Sequence, residues 1–470
     1  MTRLFIACFI FIHSVLFCGC LNKDAIQKDI IASREHAFRQ WSAQKLQKLR
    51  DETVIHGNLS LADALKLALV HNRTLQIAME EKNVSKGLIL ESYGEVFPTV
   101  SLTGRYTHAN TDNVDIDGTK KEIGQHDNYT GGLSVTQPIF RGGAATAALR
   151  ASKYYDVLVD ENVRSAVQNT IYKTIRDYYQ VSLTQEQHGV TQTYADLAEA
   201  HLKDVQMKRK FGVASDFNVL RSQVELSNAR AELISYKNKL HQATTTLLKT
   251  LGVSQESRIE LTDHLIYKPA SVKEEEVVRK AFLNRPDLSG AELNLKLQEE
   301  SLRKAYSKYW PEIDAFYKYS FEKPDPSLAT KDEWGDAWKA GIEMNIPIFD
   351  GLKREGNVAQ ERAVLKQKHI KLLDKQEQAL FEARNAILDI RDAAESVDAQ
   401  KLTLEKAKEG LKLAEVGYRE GTLDQVSVLD ARAALTNAQL LYYKSLYDHA
   451  IARLDLQKAM GILSPKWSKQ

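Results

Sequence analysis

Cysteine is nearly absent from this chain of 470 residues. Its three cysteines, Cys8, Cys18 and Cys20, all lie within the first twenty positions, so the rest of the chain can form neither an internal disulfide nor a cysteine metal site. The histidines are scattered, without the spacing that holds zinc. The net charge is only +2, and no cluster of arginine and lysine indicates a nucleic-acid partner.

Long hydrophobic runs are also lacking. The apolar stretch from Leu4 to Phe17 is shorter than the ~20 residues of a membrane-spanning helix and predicts the hydrophobic part of a secretory signal. The Phe-Cys-Gly-Cys sequence that follows is similar to a bacterial lipobox, so we expect residues 1–20 to be a signal peptide and Cys20 to be acylated. Phe17 and Cys18 depart from the usual lipobox residues. Ordinary cleavage nearby and an uncleaved anchor are the alternatives.

Patterns that indicate catalysis are missing as well. No Ser/His/Asp set or carboxylate pair can be distinguished from surface charge. The glycine-rich run after Arg141 lacks the Lys-Ser/Thr pair of a phosphate-binding loop. We therefore expect no enzymatic activity, no metal and no cofactor.

What the chain does contain is an internal duplication. The stretch FGVASDFNVLRSQVELSNAR, which begins at Phe211, is matched by EGTLDQVSVLDARAALTNAQ, which begins at Glu420. Pairs of proline, leucine and glycine elsewhere repeat with the same offset, which predicts two structural copies. We expect an N-terminal tether (residues 21–58), repeat 1 (59–252), a linker (253–274), repeat 2 (275–461) and a C-terminal tail (462–470).

Most of each repeat has helical periodicity. A helix of about 35 residues is expected before each predicted hairpin, the first of them capped by Ser60. The proline-poor runs 143–210 and 352–419 predict helices about 100 Å long, each followed by a shorter returning helix. Heptad spacing in the first returning helix predicts a seam of close antiparallel coiled-coil contacts at Leu220, Val224, Ser227, Ala231 and Ile234.

Two pairs of short segments instead alternate apolar and polar residues. They lie at about 97–140 and 311–349, each pair is interrupted by a polar loop, and each predicts a β-hairpin that ends at Pro138 or Pro347. The aromatic residues of these regions predict a membrane-interface belt, with ordinary strand propensity as the alternative. They are Tyr106, Tyr129, Tyr317, Tyr319, Phe321, Trp334 and Trp338.

Four strands cannot close a barrel, because about eight is the smallest number observed. Open sheet edges are not tolerated in lipid, so a chain that inserts must share strands with copies of itself. Three copies would provide twelve strands, and the spacing also permits two or four copies. The alternative is a coiled-coil scaffold without a pore, which leaves the hairpins unexplained.

In these features the chain resembles the TolC-type family of outer-membrane efflux and secretion ducts, from Leu59 to Gly461. The resemblance rests on the repeated order of elements, on two P-I-F-x-G strand ends and on two G-x(6)-V-L helix starts. It implies an α+β membrane protein with a long antiparallel helical (coiled-coil) tunnel. It also implies a transmembrane β-barrel shared among the protomers of a homotrimer.

The resemblance further implies a location and partners. It predicts an outer-membrane protein with a large periplasmic portion, which docks on a periplasmic adaptor and an inner-membrane pump and passively exports drugs or toxic small molecules. The alternatives are a duct for type I protein secretion and, in a different class, a non-pore coiled-coil periplasmic scaffold lipoprotein. Metal-ion export is a narrower variant that no Met-rich or His-rich tract supports.

The duplicated motif itself is expected where each long helix reverses, far from the barrel. Glycine readily adopts the positive φ that such a helix end needs. A trimer would then present six similar tips to the adaptor. The tip residues are Gly212, Val213, Ala214, Ser215, Gly421, Thr422 and Leu423.

The resemblance also predicts a periplasmic gate at the second tip, where family members have rings of aspartate linked to a tyrosine. The aspartate carries over to Asp430 and the tyrosine to Tyr418. Ser427 occupies the position of a second acidic ring, and Leu423 that of an arginine link, which leaves Asp424 as the candidate second carboxylate. The alternatives are that Asp424 caps the returning helix and that Asp430 is a solvated surface charge.

Overall fold

The structure is a computed structural model that describes residues 27–28, 30–39, 54–108, 112–116, 119–123, 127–269, 273–325 and 333–464. Residues 30–39 are helical. Cys20, the predicted signal peptide and most of the predicted tether lie outside the described residues.

Helices and strands follow each other twice in the same order, except that repeat 1 has two additional short strands within its β-hairpin. Repeat 1 contains β1 (His56–Leu59), α1 (Leu61–His71), α2 (Arg73–Tyr93), β2 (Thr99–His108), β3 (Asp112–Ile116), β4 (Thr119–Ile123), β5 (Asp127–Arg141), α3 (Ala144–Lys210) and α4 (Asp216–Leu251). After β6 (Arg258–Leu261), repeat 2 contains α5 (Glu274–Asn284), α6 (Pro286–Ser307), β7 (Glu312–Lys323), β8 (Gly335–Asn345), α7 (Lys353–Arg419) and α8 (Gln425–Ala459).

The prediction of a single helix before each hairpin is wrong, because both helices are interrupted. In repeat 1 the interruption is Asn72, whose extended backbone ends α1 and whose side chain caps α2 by accepting the N–H of Leu75 at 3.1 Å. In repeat 2 it is Arg285, which is also extended and precedes Pro286. A residue before proline is disfavoured in the helical region. Ser60 caps α1 as expected.

Two long helical hairpins form the body of the molecule. Helices α3 and α7 have 67 residues each, or about 100 Å, and they reverse into α4 and α8, of 36 and 35 residues. Helix α2 packs against α3, and α6 packs against both α3 and α7. Helices α1 and α2 therefore lie along α3, and α5 and α6 lie along α7.

The prediction that the Leu220–Ile234 seam of α4 forms close helix contacts is wrong within the chain. Its large residues are exposed, with exposed fractions of 58% for Leu220, 53% for Val224 and 61% for Ile234. A neighbouring stripe that includes Leu226 and Ala229 packs instead, against Ala195 and Ala198 of α3. Because alanine has a small side chain, this stripe lets the two helices approach more closely.

The main sheet joins the two repeats at one end of the helices. Its strand order is β2-β5-β7-β8 and all neighbours are antiparallel, so the pairing of β5 with β7 unites the two hairpins. The segment between β2 and β5, predicted as a loop, contains the further hairpin β3–β4. Successive residues of a strand point to opposite faces, so the register places Val100, Val135 and Tyr317 on a mainly apolar face and leaves the other face mainly polar.

A small parallel pair of strands, β1 with β6, lies in the parts of the chain that were predicted to be tether and linker. It borders a core in which the Tyr178 hydroxyl donates to the Leu59 carbonyl oxygen at 2.9 Å. This core contains Leu59, Leu61, Leu65, Ile171, Ile175, Tyr178, Leu247, Leu248, Leu251 and Leu454. A second core joins α5 to α7 and α8.

Candidate functional site

Both helix reversals are built around glycine. Gly212 and Gly421 have φ of +76° and +74°, the left-handed conformation expected of such an end. In repeat 1 the N–H of Val213 donates to the Lys208 carbonyl oxygen at 2.9 Å, and in repeat 2 the N–H of Thr422 donates to that of Gly417 at 2.8 Å. These bonds satisfy carbonyl groups at the helix ends, as helix C-caps do.

The two tips differ in the side chains that they expose. The repeat 1 tip presents Phe211, Val213 and Phe217, which are 77%, 75% and 67% exposed. At the repeat 2 tip, Leu423 is 43% exposed and Thr422 is a polar neighbour. Ala214 and Ser215 complete the first tip, and Ser215 caps α4.

Asp424 caps α8, as the alternative reading of the sequence expected. Its carboxylate accepts the N–H of Ser427 at 2.9 Å and the Ser427 hydroxyl at 2.7 Å. These bonds, the backbone one first, hold the pKa of Asp424 below its ordinary value. Ser427, which occupies the position of the second acidic ring that the resemblance implies, therefore donates the hydrogen bonds that hold the Asp424 side chain. A gate role for Asp424 stays a prediction.

Asp430 lies in the second turn of α8 and is exposed, whereas the preceding Val428 and Leu429 are buried. Among the described residues, no hydrogen bond or ion pair to its carboxylate is formed. The charge is therefore available to solvent and ions. Its position in a pore stays a prediction.

Tyr418, in the last turn of α7, faces the other hairpin. The ammonium group of Lys208 on α3 lies 4.9 Å from the centre of its ring. Asp204 also pairs with Lys208 at 2.9 Å, and this contact is the main reason that the pKa of Lys208 is raised. Tyr418 therefore belongs to a contact between the two hairpins, and not to one with Asp424 or Asp430.

A buried polar cluster between the hairpins was missed by the sequence analysis. The side-chain amide nitrogen of Gln425 donates to the Ser222 hydroxyl at 2.9 Å and lies 2.9 Å from Nε2 of His201. Ser222 is fully buried, and His201 and Gln425 are each 8% exposed. One signal in the sequence was available: Gln425 replaces the Asp216 that stands at the equivalent position of repeat 1.

Burial lowers the pKa of this histidine and so favours its neutral form. The pKa of His201 is lowered by burial, then by the positive charge of Arg432, and Lys208 acts in the same direction while Asp204 opposes it. Arg432 itself pairs with Glu415 of α7 at 3.2 Å. A neutral imidazole can accept the Gln425 amide through Nε2, which fits the contact.

The strand ends carry a further contact between the repeats. Arg141, at the end of β5, pairs with Glu312 at 3.0 Å and Asp314 at 2.8 Å, both on β7. Pro138 borders a register shift in the β5–β7 ladder, and Pro347 follows β8. These bonds fix the junction between the sheet and the long helices.

The predicted belt residues lie on or beside the sheet. The ring centres of Tyr106 and Tyr129 are 5.0 Å apart, and those of Tyr317 and Trp338 are 6.3 Å apart. Trp334 precedes β8, with its ring centre 6.4 Å from that of Tyr129. Tyr319 pairs in register with Trp338. A role at the membrane interface stays a prediction for all of them.

No helix in the described ranges is sufficiently long and apolar to span a membrane. Within those same ranges, no three His, Cys, Asp or Glu side chains are grouped as metal ligands would be.

This fold, a four-stranded sheet at one end of paired helices about 100 Å long, is similar to that of solved outer membrane channels. The structure matches the Campylobacter jejuni CmeC outer membrane channel with a TM-score of 0.75 at 17% identity, over 85% of this chain and 85% of that one. The TolC outer membrane protein of Escherichia coli (strain K12) is 22% identical over 420 residues, which cover 86% of this chain and 83% of that protein. The alkaline protease secretion protein AprF of Pseudomonas aeruginosa is 21% identical over 412 residues, covering 86% and 85%.

The family model for outer membrane efflux protein matches residues 64–253 and 277–462, and this chain belongs to that family. The expectations of an outer-membrane location, an internally duplicated α+β fold and a duct without enzymatic activity are thereby confirmed.

Proposed function

We propose that the chain is the outer-membrane duct of a tripartite export system and that it passively releases drugs or other toxic small molecules. The observation that carries the proposal is the sheet. One of its faces is mainly apolar across all four strands, and β2 and β8 each have an edge without a partner among the described strands.

Three copies joined edge to edge would close these edges. Twelve strands would then form a barrel with the apolar face toward lipid, which satisfies every backbone group in the membrane. The six helical hairpins of the trimer would continue the barrel as a tunnel in the periplasm. In this assembly Cys20 would anchor the N-terminus through its lipid.

The partners follow from the tips. The helix reversals at Gly212 and Gly421 are the far ends of the hairpins and would meet a periplasmic adaptor that connects to an inner-membrane pump. Asp430 would narrow the tunnel there with three carboxylates, while Tyr418 would hold the two helical hairpins of one chain together through Lys208.

Protein secretion is a second candidate within the same family, because AprF is named for the secretion of alkaline protease. A scaffold lipoprotein without a pore is the alternative of a different class, and the apolar sheet face counts against it.

The test is the mass of the particle extracted by detergent from outer membranes, corrected for bound detergent, followed by conductance in planar bilayers. A mass of three chains and discrete conductance steps are expected. A monomer that stays in solution without detergent would overturn the duct and favour the scaffold.

A further inference from the structure

We infer that Lys318 and Lys339 form an anion-binding ring in the sheet part of the duct, which favours solutes that carry phosphate, carboxylate or sulfonate groups. The inference rests on the proposed function, because the ring is complete only when copies of the chain close the sheet.

The two lysines are direct neighbours across β7 and β8. Ser134 on β5 is in register with Lys318, and Ser101 on β2 is in register with Ser134. The hydroxyl oxygens of the two serines are 2.6 Å apart. One row across all four strands therefore consists of two hydroxyl groups followed by two ammonium groups.

This row belongs to the polar face of the sheet. Tyr317 and Tyr319, which flank Lys318 along β7, are in register with Val135 and Leu133 and so belong to the apolar face. Strand alternation then directs Lys318 to the opposite face. With the apolar face toward lipid, the lysine row points into the lumen.

The positive charges of this pair are not neutralised within the described chain. Neither Lys318 nor Lys339 forms an ion pair there, and the Lys318 ammonium lies 5.2 Å from the centre of the Phe316 ring. The nearest acidic residues on this face of the two strands are Asp314, Glu322 and Glu343, each four residues or about 13 Å along its strand from a lysine of the pair. Asp314 is paired with Arg141.

Like charges directly opposite each other destabilise an antiparallel pair of strands, so this arrangement destabilises the sheet when no anion is bound. Lysine on an edge strand discourages unwanted pairing and could explain Lys339 on β8. It does not explain Lys318, because β7 is an inner strand with partners on both sides. An anion bound between the two ammonium groups explains both.

Three copies would place six ammonium groups at one level of the pore, where low-dielectric walls concentrate their field. The serine hydroxyls can donate to the same anion. An anionic solute would therefore bind in passing, as charged rings select ions in other pores.

The experiment records single channels of the full-length protein in planar bilayers with inorganic pyrophosphate added to either side. Wild-type channels are expected to show concentration-dependent block. The double variant Lys318→Gln/Lys339→Gln is expected to need about tenfold more pyrophosphate. Lys318→Arg/Lys339→Arg should retain the block, and so should Lys66→Gln/Lys280→Gln, which removes two positive charges from α1 and α5.

The melting temperature of the assembled particle supplies a second readout. Pyrophosphate should raise it in the wild type and not in the glutamine double variant, whose own stability should be equal or higher because the repulsion is removed. Equal block and equal melting shifts in both proteins would overturn the anion ring while leaving the duct intact. A wild-type protein without conductance would instead contradict the duct and, with it, the ring.

Discussion

The side-chain amide of Gln425 lies 2.9 Å from Nε2 of His201 and thereby joins the start of α8 to α3 of the other hairpin. Because the amide also donates to Ser222, one buried side chain holds the two hairpins together close to their tips. The protonation state of His201 should therefore affect how firmly they are held.

Stability should fall with acidification, and part of the fall should depend on His201. The pKa of this histidine is lowered by burial and by Arg432, so the unfolded chain binds the proton at higher pH than the folded chain. The stabilisation is complete above about pH 6.5 and is lost as pH falls through the folded pKa. His201→Gln should show a smaller drop in melting temperature between about pH 7 and pH 5. His241→Gln, an exposed control, should match the wild type, and an unchanged slope in His201→Gln would contradict the role.

Asp430→Ala should reduce the preference of the channel for cations over anions. Three carboxylates near one axis attract cations, and the substitution removes all three in a trimer. The measurement is the reversal potential of reconstituted channels in a salt gradient. Glu420→Ala removes another exposed charge, from the reversal itself, and should have a smaller effect. Identical records for Asp430→Ala and wild type would remove Asp430 from the pore.

Asp424→Ala should destabilise the first turn of α8, because it removes the N-cap acceptor of the Ser427 N–H. Asp424→Asn keeps an acceptor for the Ser427 N–H and should cost much less. Hydrogen exchange at the amides after position 424 measures the effect, and Ser215→Ala at the other tip is the matched case. If both Asp424 variants alter ion selectivity without a change in exchange, the residue acts in the gate and not as a cap.

Gly421→Ala should destabilise the second tip by about 1 kcal/mol, because a Cβ is unfavourable at positive φ. Gly410→Ala is the control: this glycine lies within α7 with nothing near the added methyl group. Alanine there should stabilise by about 0.5 kcal/mol through the unfolded state. The two variants should shift the melting temperature in opposite directions, and a shift in the same direction would argue against the strain.

Trp338 should be quenched by bromine-labelled lipids if the apolar face of the sheet meets the membrane. The measurement uses a protein in which Trp338 is the sole tryptophan. A second protein, with Phe381→Trp on the exposed surface of α7 as its sole tryptophan, is the control and should not be quenched. Equal fluorescence with labelled and unlabelled lipid for Trp338 would count against the belt.

The fold could be predicted because the sequence patterns that specify it are local and occur once in each repeat. The change from helical to alternating periodicity located the hairpins, and glycine at 212 and 421 marked positions where an L side chain is unfavourable. The interruption at Asn72 could not be predicted. It depends on a side chain that caps α2 and also donates to the Thr250 carbonyl oxygen of α4, a tertiary contact.

The packed face of α4 and the buried cluster of His201, Ser222 and Gln425 were not predicted, for a related reason. Two stripes on α4 have similar heptad spacing, and only the position of Ala195 and Ala198 on the facing helix decides between them. His201 and Gln425 are more than two hundred positions apart and follow no motif. Their pairing becomes visible only when the two hairpins are placed side by side.

The equal length of α3 and α7, at 67 residues each, limits how this sequence can change during evolution. Each residue adds 1.5 Å, so a deletion of one heptad from α3 alone would shorten that hairpin by about 10 Å and separate His201 from Gln425. Insertions and deletions should therefore be tolerated in the long helices only as matched events in both repeats and in the returning helices, whereas the loops of the sheet are free to vary in length.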